Sequence, residues 1–445
     1  MVNQEALTSV NTNDLKWTAD QTLAIAKLNS ANNIFLTGGA GTGKSTVIQN
    51  YLRQGLDGTK TTAVLASTGT AAILLGGRTF HSFFGLGIME GGIENVVARA
   101  TKHQGIIQRL RKTDHVLLDE ISMIGSAEWI AAEKIARVAR KRNAEPWGGL
   151  RIVAIGDFAQ LPPVVKTPMR SMNQDPFSQD LFSQVVQEPE KPWCFLTETW
   201  QKTEFDSINL KEVVRSTDAY WNEILNELRW GNFTLRAKEV LDERVKKVPL
   251  EFQGTRLFSR RAQVDRLNHE RLHTLPGGVK EYNTVYIGQA QRIDELKRNA
   301  PVGEMLILKE GALVMFRQND PELKYVNGTL GTIIRLKDDE VRVELLNGRT
   351  IDLKPTTFNV LDAEGNPAAT ATNFPLNLAW ACTIHKAQGA TLDKAHVDLR
   401  GVWEHGQSYV ALSRVRSVED LTIEGYTPNG FKIDPAVQDF YRRLT

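Results

Sequence analysis

Eight consecutive residues constrain this chain more than any others: Gly38-Gly39-Ala40-Gly41-Thr42-Gly43-Lys44-Ser45. They follow the apolar run Ile34-Phe35-Leu36-Thr37 and lead into the helical run Ser45–Leu52. A G-x-x-x-x-G-K-S pattern between a strand and a helix is a P-loop. Its glycines let successive backbone amides turn inward, and the helix directs its positive end at bound phosphate. Lys44 is placed to reach the β- and γ-phosphates of ATP, and Ser45 to offer its hydroxyl to Mg²⁺. Gly39, Gly41, Thr42, Gly43 and Thr46 complete the cradle. A Gly-rich turn without a ligand is the bland alternative, and the strand–loop–helix placement argues against it. Such a loop also demands an α/β fold, because the strand must feed a helix that packs back on a sheet.

The surrounding chain agrees. Short apolar runs at Ile34–Thr37, Ala63–Ser67, Val116–Asp119 and Ile152–Gly156 alternate with helical stretches, the mark of a parallel sheet. Ligands of open α/β sheets collect at the carboxyl ends of the strands. Val116-Leu117-Leu118-Asp119-Glu120 ends there in two carboxylates. Beside a P-loop, Asp119 suits the Mg²⁺ shell, since that ion takes few carboxylates and several waters. Glu120 suits the attacking water, which needs a base or a positioning group. Gln160 lies just past a further strand end, where an amide can sense the γ-phosphate.

The second half of the chain repeats the texture, with strands expected at Thr255–Phe258, Leu376–Thr383, Ala395–Asp398 and Leu421–Glu424. Between them, alternation around Val341, Val343 and Leu345 and an Asn347-Gly348 turn predict antiparallel hairpins. A Pro-rich stretch from Pro162 to Pro192 reads as a boundary. Composition removes other classes. No run of 18 apolar residues spans a membrane. Cys194 and Cys382 stand far apart and outside any CxxC spacing, which excludes a disulfide framework and a cysteine zinc site. The first residues lack a basic-then-apolar signal layout, so the expected location is cytoplasmic, nucleoid-associated in a bacterium. With 54 Lys and Arg against 52 Asp and Glu, the net charge of +2 does not advertise a nucleic-acid binder.

The motifs point the other way. STGTAAILLGGRTFHSFFG, LLDEISM, WGGLRIVAIGDFAQLPPV, TIHKAQGATLD and YVALSRVRS stand in this order, and the chain from about residue 15 to 426 resembles the petite-integration-frequency (PIF) helicases. These belong to the 5′→3′ branch of helicase superfamily 1, with RecD-like enzymes as cousins. The resemblance implies two RecA-like domains with parallel sheets, ATP and Mg²⁺ in the cleft between them, and single-stranded DNA across their tops. It gives Gln21 the adenine edge and Arg414 a reach across the cleft to the γ-phosphate. The family's other arginine is absent from Leu196–Gln201, so its role falls to Arg215, with 196–209 as a small insertion. The expected catalytic set is therefore Lys44, Glu120, Gln160, Arg215 and Arg414.

For DNA, the resemblance implies contacts from Thr68, Gly69, His81, Ser82 and Phe83 in the first domain. In the second it implies Thr383, His385 and Lys386, with Gln388 beside them. The first motor domain is expected over 1–195, the second over 196–280 and 370–445. A small β-rich insertion resembling a Src-homology barrel is expected over 281–369. Residues 84–104 are the candidate wedge. Lys134, Arg137 and Lys141 share a helix face with Arg140 and Arg142 nearby, which faces DNA or braces the fold. The expected partners are single-stranded DNA and its junctions with duplex, then G-quadruplexes and RNA–DNA hybrids, met by a monomer able to dimerise on DNA. The expected function is an ATP-dependent DNA helicase. The alternatives are a translocase without productive unwinding, a non-enzymatic nucleotide switch, and RNA unwinding.

Overall fold

The computed structural model describes residues 16–53, 61–87, 89, 91–163, 193–248, 252–320, 324–361 and 367–444. Most of the Pro-rich stretch, 164–192, lies outside them, as do residues 88 and 90 of the wedge candidate. The P-loop strand, Ile34–Gly38, is buried at every position, as is Arg151–Ile155 beside it. Strands apolar on both faces fit only the middle of a covered parallel sheet. Among the described residues the sheet has six strands in the order 78–79, 62–66, 115–119, 151–155, 34–38, 206–210, and every pairing is parallel. One face carries Ala24, Leu36, Val47 and Ile155; the other carries Phe35, Trp129, Trp147 and Phe158.

The first domain corrects two expectations. Asp206–Leu210 pairs in parallel with the P-loop strand, Ile34 opposite Asp206 and Gly38 opposite Leu210. The first sheet thus extends beyond residue 195, and 196–209 is its closing segment rather than an insertion. The second correction comes from the other end of the chain. Helix Pro435–Leu444, expected in the second domain, buries Val437 and Tyr441 in the core that holds Phe35 and Trp200. Phe440 stacks on Phe195 at 4.4 Å and Tyr441 shares a 2.6 Å hydrogen bond with Thr37.

The second domain has a four-stranded parallel sheet in the order 381–383, 255–258, 395–399, 421–426. Helix Ala219–Arg229 packs Trp221, Ile224 and Leu228 into its core. The expected strand Leu376–Thr383 is two strands. Leu376–Leu378 pairs antiparallel with Leu313–Phe316, and Ala381–Thr383 pairs in parallel with Thr255–Phe258. The chain therefore changes sheets at Ala379-Trp380. The insertion is antiparallel, as its alternation predicts, and Asn347-Gly348 turns the hairpin between Val341–Leu345 and Thr350–Leu353. Among the described residues its strands, joined by Leu376–Leu378, form sheets of five, three and two, and the five-stranded one runs between two edges, 350–353 and 376–378. Among the described residues, no helix is long and apolar enough to cross a membrane.

Candidate functional site

Sheet order assembles the site. Strands 115–119, 151–155 and 34–38 are neighbours, so their carboxyl ends lie side by side at roughly 4.8 Å spacings. Those ends carry Asp119 and Glu120, then Asp157 and Gln160, then the P-loop. Lys44 opens the helix Lys44–Arg53, and its Nζ donates to the carbonyls of Gly38 at 2.9 Å and Gly39 at 3.0 Å. Burial lowers its pKa, opposed by Asp157 and Glu120. The Thr42 hydroxyl closes the turn on the Gly39 carbonyl at 3.0 Å. Ser45 and Thr46 stand exposed on the first helical turn. Gly41 has φ +79°, and a Cβ there would lie 2.7 Å from the Cβ of Arg215. The loop thus needs glycine at this point for both torsion and room.

The carboxylates differ in their surroundings. Asp119 Oδ1 accepts the Glu120 amide at 2.8 Å; burial raises its pKa, opposed by that bond and by Lys44. Glu120 has left-handed torsions, φ 55° and ψ 47°, a strained setting of the kind that clusters at working sites. Burial and then Asp119 push its carboxyl up to about 7, opposed by Lys44, Arg414 and Gln388. A carboxyl in that range can both take and release a proton near neutrality. Asp119 and Ser45 make a donor set of one carboxylate and one hydroxyl. This suits Mg²⁺, which keeps water and phosphate oxygens in its shell instead of filling a protein cage.

Groups from the second domain close on these. Gln388 Nε2 donates to Glu120 Oε2 at 3.1 Å and lies 3.5 Å from Gln160 Oε1. Its side chain therefore faces the cleft, which corrects its expected place among the DNA contacts. Arg215 donates to the Ser413 carbonyl at 3.2 Å, while its own amide and that of Val214 donate to the Gly41 carbonyl. Arg414 is 2% exposed and bonded to the carbonyl of Val410 at 2.7 Å and to Ser413 Oγ at 2.7 Å. Both arginines stand at the cleft, near enough that Arg215 depresses the pKa of Arg414 after burial does.

An unexpected ion pair lies beneath. Arg229 bonds both oxygens of Asp157, at 2.8 and 3.1 Å, with exposures of 6% and 0%. Burial alone would raise the pKa of Asp157, but Arg229 holds it below the usual carboxylate range. Tyr441 donates to Asp157 at 3.2 Å and accepts from the Phe158 amide at 3.1 Å. Asp157 stands in the quoted motif WGGLRIVAIGDFAQLPPV and Arg229 in the run Leu225–Gly231, but nothing in either run says they meet. Asp157→Asn leaves a buried guanidinium without its counter-charge. We expect it to lower unfolding free energy by about 3–5 kcal/mol, read as a fall in the urea midpoint; an unmoved midpoint would show the pair to be idle.

Gln21 is 4% exposed, and both ends of its amide are engaged. Its oxygen accepts the Thr18 amide at 3.1 Å in a capping box, and its Nε2 donates to the Thr42 carbonyl at 3.0 Å. Reading adenine requires it to exchange these partners. Thr68 and Thr383 cap short helices at the ends of strands 62–66 and 381–383, accepting from Ala71 and Lys386. Gly69 opens the first of these helices; His385 is half-buried and Lys386 exposed on the second. His81 and Ser82 are half-buried, and burial lowers the pKa of His81. Phe83 is a correction. It is 2% exposed in the core with Phe80 and Phe84, so its ring is closed to a DNA base. The basic helix braces the fold: Arg140 donates to the carbonyls of Gly148, Leu110 and Thr113, Arg137 pairs with Glu133, and Lys134 pairs with Glu94.

Known proteins share this construction. The family profile described as PIF1-like helicase matches residues 12–232. The ATP-dependent DNA helicase Pif1 of Bdellovibrio bacteriovorus is 42% identical over 97% of this chain and 93% of its own length. The crystal structure of Bacteroides sp Pif1 in complex with ADP-AlF4 superposes with a TM-score of 0.80 at 28% identity, covering 97% of each chain. That of Bacteroides Pif1 with ADP-AlF3 and ssDNA gives 0.64 at 27% identity, covering 97% of this chain and 98% of the other. By sequence, by fold and by the order of its motifs, this chain belongs to the PIF1-like helicase family.

Proposed function

We propose that this protein is an ATP-driven DNA helicase that moves 5′→3′ along single-stranded DNA and opens duplex or structured DNA ahead of it. The observation that carries the reading is the contact of Gln388, from one domain, with Glu120 and Gln160 of the other. Groups suited to hydrolysis are thereby tied to the relative position of the two sheets. Lys44 and the loop amides bind the phosphates, Glu120 takes the proton of the attacking water, and Gln160 orients that water. Mg²⁺, held by Ser45 and Asp119, would neutralise charge on the phosphate oxygens. Arg215 and Arg414 hold the cleft closed on the triphosphate, and their loss of purchase after hydrolysis lets it open. A ligand can drive such closure only through unequal affinity for the two states.

Thr68, Gly69, His81 and Ser82 on one domain and Thr383, His385 and Lys386 on the other form two grips on the DNA backbone. Closing the cleft shifts one grip relative to the other. A base-pair step resists by about 1.4 kcal/mol, a small load for one nucleotide cycle. Strand displacement on duplexes carrying a 5′ or a 3′ tail tests the reading. Only the 5′-tailed duplex should be opened; equal opening of both would overturn the polarity. ATP hydrolysis without displacement of either would favour the translocase.

A further inference from the structure

The P-loop amide of Ala40 donates to the hydroxyl oxygen of Tyr409 at 2.7 Å. Tyr409 belongs to the other domain, on the short helix Gln407–Leu412, and is 4% exposed. Inward-turned amides of this loop are the groups that bind phosphate oxygens. One N–H cannot make a good bond to a phenol oxygen and to a phosphate oxygen in the same place. A hydroxyl seated on the loop and a phosphate bound by that amide therefore exclude each other. The helix has little freedom to retreat alone. At its start Gly406 has φ +73° and sits so close to the first domain that a Cβ would lie 2.4 Å from the Gln160 carbonyl oxygen and 2.5 Å from that of Ala159. Just past its end stand Ser413, whose carbonyl accepts from Arg215, and Arg414, which grips the Val410 carbonyl of the same helix.

We infer that Tyr409 is a phosphate stand-in: its hydroxyl holds the Ala40 amide until the triphosphate displaces it, and the displacement moves the helix that positions Arg414. Occupancy of the cradle is thus reported to the second domain by competition for one backbone N–H. This makes Tyr409 a positioning residue, distinct from the groups that touch reacting atoms. The inference rests on the nucleotide reading of the P-loop.

The test is calorimetric binding of Mg²⁺ and a non-hydrolysable ATP analogue, AMP-PNP, to the full chain. Tyr409→Phe keeps the ring but removes the competing oxygen. It should bind the analogue roughly 2- to 10-fold more tightly than wild type, the loss of one ordinary hydrogen bond from the competing state. Equal or weaker binding by a folded Tyr409→Phe chain overturns the inference. Lys44→Ala serves as control: its failure to bind while wild type binds upholds the cradle whatever Tyr409→Phe does. A second measurement avoids the variant. With 3-fluorotyrosine at position 409 in the otherwise native chain, the ¹⁹F resonance should shift on addition of AMP-PNP, and an unmoved resonance also overturns the inference.

Discussion

Lys44→Ala should leave a folded chain whose DNA-stimulated ATPase activity falls by roughly 10²–10³ or more, the cost of losing one preorganised donor aimed at developing charge. Two effects add. The ammonium that would meet the β- and γ-phosphates is gone. Lys44 also opposes the upward shift of the Glu120 and Asp119 carboxyls, so its loss drives both further toward their protonated forms. The variant would then lack a phosphate ligand and hold a weaker base. Its fold should survive, because the helix Lys44–Arg53 is anchored beyond its first residue by Val47, Ile48 and Tyr51, which are buried in the core. Unchanged circular dichroism with lost turnover is the expected pair of results. Normal turnover would remove the P-loop from the mechanism.

Glu120→Gln should bind ATP and DNA yet hydrolyse about 10²–10⁴-fold more slowly, the usual worth of a general base. The structure adds a pH signature. Burial and Asp119 raise the Glu120 carboxyl to about 7, so below that pH it keeps its proton and cannot accept one from water. The sign follows: kcat/KM for ATP should rise with pH, with an acid limb centred near 7 instead of near 4.5. Between pH 6 and 8 a single group of this kind gives roughly a tenfold rise in its ionised fraction. The residual activity of Glu120→Gln should show no such limb. A limb that survives in the Gln variant, or a midpoint below 5 in the wild type, would assign the base elsewhere.

Much of this was legible in the sequence because it is local. A strand, a Gly-rich turn and a helix are contiguous, so residues 34–53 announce the cradle, and Asp119-Glu120 announces itself at the end of an apolar strand. What escaped was non-local. Asp206–Leu210 is a five-residue strand with two polar residues at its start, and only its partner shows where it belongs. Asp157 meets Arg229 across 72 positions, which no window on either run encloses. Phe83 is different: the resemblance assigns it to DNA, while its own spacing points inward. Phe80, Phe83 and Phe84 fall at i, i+3 and i+4, the spacing of a buried helical face. Gln388 shows the reverse limit: the motif located the residue, but which of two neighbouring surfaces its amide serves is decided by χ angles and domain placement.

The C-terminal helix carries a consequence measured in time. Tyr441 bonds Thr37 from 404 positions away and, with Val437, fills part of the first domain's core. Ribosomes add roughly 5–20 residues per second. The P-loop strand therefore leaves the ribosome roughly 20–80 s before the aromatic side chain that seals it. During that interval the Phe35 face of the nascent motor stands open, a chaperone substrate in a cell and an aggregation site in its absence. The nucleotide domain is made ahead of the second domain and completed only after it.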